Sequence, residues 1–286
     1  MSGLGFWQVV RLLGVYVLNL LRFALRRSDL RFLPLTPGFM RAQVIYDRKR
    51  GNFFRLWLRD GLDLVTFGEL FQREDYSTAR FARHYESQAY YREALELGKV
   101  PLIIDCGAHA GFASVYFSQL FPEALIVALE PNTENFQQAK RNTQGRNVML
   151  LNSAIGPQTG VGVLRDPGQG NNAYRIELDD AGDVGVVSIS TVLEQYPSPT
   201  HFPTIVKIDI EGFEKDLFSA NTEWLGEFPL LIIELHDWML IGSANSQNFL
   251  KVMAESGRDF AYYGENVFSF RNPRKPSKRD LEGKTS

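Results

Sequence analysis

Carboxylates stand where four apolar runs stop. PLIID ends in Asp105, ALIVALEP reaches Glu130, TIVKIDIEG carries Asp209 and Glu211, and PLLIIELHD carries Glu234 and His236. A fifth run, NVMLLNSAIG, brings Asn152, Ser153 and Ala154 to the same kind of position. Charged groups are rarely buried unless engaged, so a packed core alone does not account for acids at these ends. After Asp105 the chain clears away its side chains, and Asp105-Cys106-Gly107-Ala108-His109-Ala110-Gly111 has the spacing DxGxxxG. Glycine allows a tight strand-to-helix turn, which either reverses the chain or also wraps a ligand.

Glu130 follows Asp105 by 25 positions. An acid so placed beyond a glycine loop can hold a ribose diol by two hydrogen bonds. Two cofactor classes fit, a nicotinamide dinucleotide and S-adenosylmethionine. The dinucleotide fingerprint is GxGxxG, and a carboxylate at the entrance of the loop repels a pyrophosphate. It suits a cationic amino-acid group, which points to S-adenosylmethionine.

The later runs read as the reacting end. Lys207, Asp209 and Glu211 alternate, as do Glu234 and His236, so each set points to one side of a strand end. Asp209 is placed for the methionine amino group, the acceptor or a divalent cation. His236 is either a general base for a hydroxyl proton or a structural histidine capping its strand. Asp209, Glu234 and His236 together suit Mg²⁺ or Mn²⁺, which orients hydroxyls and lowers the pKa of one. Glu214 reads as a solvent-facing or helix N-terminal charge. His84 and His201 fall in peripheral stretches.

These residues need a frame. From 101 to 272 apolar strands alternate with helices over 112–121, 132–141, 213–219 and 246–256, and FAYYGENVFSF (260–270) closes as a hairpin. Such a pattern predicts an α/β protein with a mostly parallel sheet covered on both faces. The run 147–156 reads as one strand, and 157–186 as loop with short strands. Residues 36–100 form a small subdomain or lid, with a hairpin turning at Arg59-Asp60-Gly61 between 53–58 and 62–67, then helical spacing from Tyr76 to Leu97. Residues 273–286 are expected to be a disordered tail.

Residues 1–35 stand apart. Gln8, Arg11, Asn19, Arg22 and Arg26 share one face of a helix, and Phe6, Trp7, Val10, Leu13, Val17 and Leu21 lie on the rest. Arginines interrupt the apolar run before it can span a bilayer, and no basic n-region or cleavage site precedes it. The helix over 3–27 either lies in a membrane interface or packs on protein. The single cysteine, Cys106, excludes an internal disulfide, and a net charge of −2 gives no basic footprint for nucleic acid. The expected location is cytoplasmic, peripheral on the inner face of the membrane, and a homo-oligomer is left open.

DCGAHAGFAS, ALEPNTENF, NSAIG, KIDIEGFEKDLF and the upstream GELFQREDY resemble the FkbM family of class I methyltransferases over roughly residues 45 to 270. The resemblance implies a Rossmann-like, doubly wound fold that uses S-adenosylmethionine to methylate hydroxyls of sugars, glycans or polyketide-type products. It implies that Asp105, Gly107, Ala108, His109 and Gly111 shape the methionine end and that Glu130, helped by Asn132, holds the ribose. Ser153 and Ala154 either meet the adenine edge or serve as strand-end turn residues. The family commonly has Asn where this chain has His109. The leading expectation is an O-methyltransferase acting on a sugar, glycan or glycolipid intermediate. Alternatives are a lipid or polyketide hydroxyl, an amine, or a non-catalytic binding protein that retains the fold. Acceptor specificity is expected from residues such as Tyr76, Tyr85, Asn171, Asn172 and Tyr174.

Overall fold

The computed structural model describes residues 6–24, 30–165 and 175–272. Arg26, Arg27, Asn171, Asn172, Tyr174 and the tail 273–286 lie outside them. The chain runs α1 (Phe6–Ala24), β1 (Phe32–Pro34), β2 (Ala42–Asp47), β3 (Asn52–Trp57), α2 (Gly61–Phe71), α3 (His84–Glu96), β4 (Val100–Cys106), α4 (Phe112–Leu120), β5 (Leu125–Leu129) and α5 (Thr133–Asn142). It continues β6 (Val148–Leu151), β7 (Ala154–Gly156), β8 (Gly160–Arg165), β9 (Arg175–Leu178), β10 (Val184–Ser188) and α6 (Ile189–Gln195). Last come β11 (His201–Ile208), α7 (Glu214–Leu217), β12 (Leu230–Glu234), α8 (Gln247–Ser256), β13 (Asp259–Tyr263) and β14 (Asn266–Phe270).

The main sheet has the order β13-β14-β12-β11-β4-β5-β6. β12, β11, β4, β5 and β6 are parallel, and only β14, the second strand of the terminal hairpin, runs against them. Strand order reverses between β4 and β11, and in such sheets the crevice beyond the carboxyl ends at that point receives ligands. Leu102, Ile104, Val127, Leu129, Val206 and Ile208 feed one core, while Ile103, Ile126 and Ile232 feed the core on the opposite face. The expected doubly wound α/β sheet is the one observed.

Two local expectations are corrected. Asp60 does not turn a hairpin; its side chain accepts from the Leu62 and Asp63 amides and caps α2. Asp at the cap with a further acid three residues on is a helix-start signal that outcompeted the Asp-Gly turn. The hairpin is instead β2–β3, tightened where Asp47 Oδ1 accepts from the Lys49 and Arg50 amides. The run 147–156 is two strands: β6 stays in the main sheet, and β7 leaves it to pair with β10. The short strands expected within 157–186 are β8, β9 and β10, and with β7 they join in a second sheet of order β7-β10-β8-β9.

The segment before β4 packs on the main sheet. Phe32, Phe54, Phe67, Phe71 and Tyr76 enter the core that holds Phe112, Tyr116 and Phe117 of α4, with the Tyr76 ring stacked on Phe117 at 5.8 Å. Gln138 and Asn142 of α5 bond the Trp57 backbone, which fastens β3 to the far side of the cofactor turn. α1 is different. Phe6, Trp7, Val10, Leu13, Val17 and Leu21 all stay exposed. Among the described residues, no helix is long and apolar enough to cross a membrane.

Candidate active site

A cavity of about 760 Å³ opens beyond the carboxyl ends of β4, β5, β11 and β12, a volume that suits a cofactor-sized ligand. Its floor is the turn after β4. Gly107 has φ of 80°, and a Cβ there would stand 1.8 Å from the Asp209 carbonyl oxygen, so only glycine lets the β4 and β11 ends approach. Gly111, also at φ 80°, starts α4 against Ala139 of α5. His109 sits between them with φ of 48°.

Glu130 is the best-anchored acid. One carboxylate oxygen accepts from the His109 amide at 2.8 Å, and the other accepts from the Asn132 amide at 3.0 Å and Asn135 Nδ2 at 3.3 Å. Burial nonetheless raises its pKa, since these bonds offset the lost hydration only in part. Asn132 is the N-cap of α5, its Oδ1 accepting from the Asn135 amide, and it does not line the cavity. Ala154 and Ile155 form the neighbouring apolar wall, whereas Ser153 faces the second sheet beside Gly185.

Asp105 lies behind the wall. It is fully buried, Ser114 Oγ donates to its Oδ2 at 2.6 Å, and Lys207 Nζ stands 3.2 Å from its Oδ1. Lys207 meets its charge, and Asp105 is not among the residues that line the cavity. Lys207 also donates to the Gly107 carbonyl at 2.6 Å and lies 3.4 Å from Asp209 Oδ2. Burial opposes the ammonium, but Asp105 and Asp209 hold it protonated. Asp209 is thus the carboxylate that joins the floor to the reacting end.

That end is a cluster drawn from three segments. His236 Nε2 faces Asp209 Oδ1 at 3.7 Å, Glu211 Oε2 at 3.6 Å and Glu234 Oε1 at 3.6 Å. Its Nδ1 is 2.8 Å from Glu214 Oε1. Glu214 is fully buried, accepts also from the Gly212 amide, and is bonded by Asn245 Nδ2. The expected solvent-facing role of Glu214 is corrected: it begins α7 but points inward and orients the imidazole. Burial pulls the His236 pKa down, yet Glu214, Asp209 and Glu211 carry it up to about 9. Glu211 and Glu234 are raised to about 8 and about 9, first by burial and then by the repulsion of Asp209. His236 therefore departs from a free base of ordinary pKa, because its neighbours favour the imidazolium. Asp209, Glu234 and His236 offer ligand atoms within 4.8 Å of one another, a spacing compatible with one cation.

The lead-in segment supplies residues absent from the sequence reading. Arg59 binds both oxygens of the buried Asp63, donates to Asn135 Oδ1 at 2.6 Å, and lies 2.8 Å from His109 Nε2. It ties the cap of α2 to the cofactor turn. Tyr76, named for acceptor specificity, does line the cavity, and burial raises its phenol pKa well above the usual value. Tyr85 is exposed away from it. Trp238 stands at the rim, 63% exposed, with its ring 6.4 Å from that of His236. His84 and His201 bond Thr78 and Thr200 outside the cavity, as expected.

The cavity thus joins a glycine-turn floor to a cluster of carboxylates around His236. A hexuronic acid methyltransferase, AglP, of Haloferax volcanii is 23% identical over 133 residues, which is 46% of this chain and 52% of AglP. The chain thus spans about half the length of that curated relative. Among solved structures, the O-methyltransferase from Bacillus cereus in complex with SAH is 12% identical with a TM-score of 0.39, covering 73% of this chain and 91% of that one. TomG from Streptomyces achromogenes in complex with SAM is 9% identical with a TM-score of 0.39, covering 75% and 92%. The methyltransferase FkbM domain matches residues 105–258, more than half of the chain and the stretch that carries every cavity strand end from Asp105 to His236. The chain belongs to the FkbM methyltransferase family.

Proposed function

We propose that the protein transfers a methyl group from S-adenosylmethionine to a hydroxyl of a sugar, glycan or glycolipid intermediate. The observation that carries this is the cluster Asp209, Glu211, Glu234 and His236 at the cavity end beyond Lys207. When bound, the cofactor supplies an electrophilic methyl on its sulfonium. Gly107, Ala108 and His109 leave room for its amino-acid end, Glu130 suits the ribose, and Ala154 and Ile155 suit the adenine. Asp209 and Glu211 offer acceptors for sugar hydroxyls, and the displaced hydroxyl proton passes into the carboxylate–imidazole cluster. Glu214 holds the imidazole still, so that alignment supplies much of the rate. Asp209, Glu234 and His236 would hold Mg²⁺ or Mn²⁺ if a cation takes part, and it would lower the pKa of the reacting hydroxyl.

Charge favours a neutral acceptor. Glu69, Asp75, Asp209, Glu211, Glu234 and Glu265 line the cavity on the acceptor side with Arg73, Lys207 and His236, and each of these three basic groups is already met by carboxylates. Such a lining leaves none of the three unengaged for a uronate carboxylate, the group named in the AglP relative, and suits sugar hydroxyls. An amine is the second reading that this lining supports. The exposed apolar face of α1 supports a place at a membrane interface, where lipid-linked acceptors are found.

The test is titration with S-adenosylhomocysteine, followed by methyl transfer to neutral, uronic and amino glycosides. Wild type is expected to bind and Glu130→Ala to lose at least about tenfold in affinity. Neutral glycosides are expected to be methylated. Transfer to the uronate instead would overturn the acceptor reading.

A further inference from the structure

A second groove lies outside the active-site cavity. It has a volume of about 750 Å³ and runs between the β2–β3 turn and the segment 72–80. Arg31, Arg48, Lys49, Arg73 and Arg80 line it, and Glu74 is the one acid among its lining residues. Arg31 is already paired with Asp47, and Arg73 with Glu69 and Asp75. Arg48, Lys49 and Arg80 have no carboxylate within ion-pair distance among the described residues. The Arg80 guanidinium is held in place over the Tyr263 ring at 3.3 Å and by its bond to the Arg73 carbonyl. Glu74 answers part of this charge, since Arg31, Lys49 and Arg80 oppose the rise that burial gives its pKa, and the remaining cations along the groove repel one another unless a further anion joins them.

Two further observations say what the anion is attached to. Residues 22–55 carry nine arginines and lysines against two aspartates, in a chain whose net charge is −2. The groove also begins at Leu30 and Arg31, just after α1, the helix whose Phe6, Trp7, Val10, Leu13, Val17 and Leu21 are left in solvent. An apolar helix followed by a compact basic surface is the pairing that binds anionic bilayers, the first inserting among acyl chains and the second meeting headgroups. We propose that the groove is a phosphate site for the headgroup of an anionic lipid, and that it docks the enzyme on the bilayer surface in which α1 lies. Arginine forks are suited to phosphate oxygens, and Lys49 adds a point charge. The inference rests on the interfacial reading of α1. Arg73 lines both the groove and the main cavity, so docking here sets the cavity mouth close to the lipid surface.

Sedimentation of the full chain with phosphatidylcholine vesicles, with and without phosphatidylglycerol, tests it. Binding is expected only with phosphatidylglycerol, and is expected to weaken as added salt screens the charges. Each basic residue at such a surface contributes about fivefold, so Arg48→Glu with Lys49→Glu is expected to weaken binding by more than about tenfold. The double variant is expected to keep its affinity for S-adenosylhomocysteine, which shows that it is folded. Equal vesicle binding by wild type and double variant would overturn the proposal. So would glycerol phosphate binding, lost in the double variant, with no binding to vesicles, because the groove would then serve a soluble phosphate. Loss of S-adenosylhomocysteine binding by wild type strikes the methyltransferase site alone and leaves the vesicle result standing.

Discussion

The two halves of the active site are built by opposite means. The half we propose for the cofactor uses backbone: a glycine turn, amides fixing Glu130, and helix caps within one local stretch, 105–135. The half we propose for the acceptor uses charge: Lys207, Asp209, Glu211, Glu214, Glu234 and His236 come from β11, the following loop, α7 and the end of β12, and each is held by the others. A backbone-built site tolerates changes in pH and fails when a Cβ is added. A charge-built site accepts small steric changes and fails when one partner loses its charge.

Gly107→Ala is expected to have the largest effect. The methyl group would lie inside the van der Waals radius of the Asp209 carbonyl at a positive φ, costing about 3 kcal/mol or more. Thermal unfolding and S-adenosylhomocysteine titration read the loss together; a stable, binding variant would mean the β4 and β11 ends are not in contact. Next, Glu214→Gln keeps the shape and removes the charge behind His236. Methyl transfer is expected to fall by about a hundredfold with cofactor affinity unchanged, since the imidazole loses its orientation and its cationic form.

The same comparison carries a pH dependence. His236, Glu211 and Glu234 all have folded pKa values above their ordinary ones, so the folded state holds protons more tightly than the unfolded chain. The stability from each is fully present below its unfolded pKa and is lost as pH rises through the folded one. For His236, moving from 6.5 to about 9 is worth at most about 3 kcal/mol. The melting temperature is expected to fall between pH 6.5 and 9, less so in Glu214→Gln; equal slopes in the two proteins would show that Glu214 does not raise His236. Arg59→Gln tests the seam between the halves and is expected to weaken cofactor binding by about tenfold through His109 and Asn135. The smallest effect is expected from Trp238→Ala, a rise of a few-fold in acceptor KM with kcat and cofactor affinity unchanged, because the ring touches only the rim.

How much of this was legible beforehand follows the same division. Glu130, Asp209, Glu234 and His236 line the cavity because each interrupts an apolar run and the sheet brings those interruptions to the same ends, whereas Asp105, read by the same signal, lies behind the wall. Glu214 does begin a helix, as a carboxylate two residues past a glycine suggests, but packing against His236 and Asn245 turns it inward, away from solvent. Arg59 was hidden by its Asp-Gly neighbour, although Asp60 with Asp63 three positions on also spells a helix start. Its partner His109 lies 50 residues away, a pairing that no local pattern encodes.

The sequence by itself therefore determined the α/β order, the glycine turn, the acid that follows it and the family, because periodicity and turn chemistry act over a few residues. Tertiary structure alone decided who neutralises whom. Asp105 is spent on Lys207 and Glu214 on His236, since a buried charge takes the nearest partner in space and the chain order does not specify which that is.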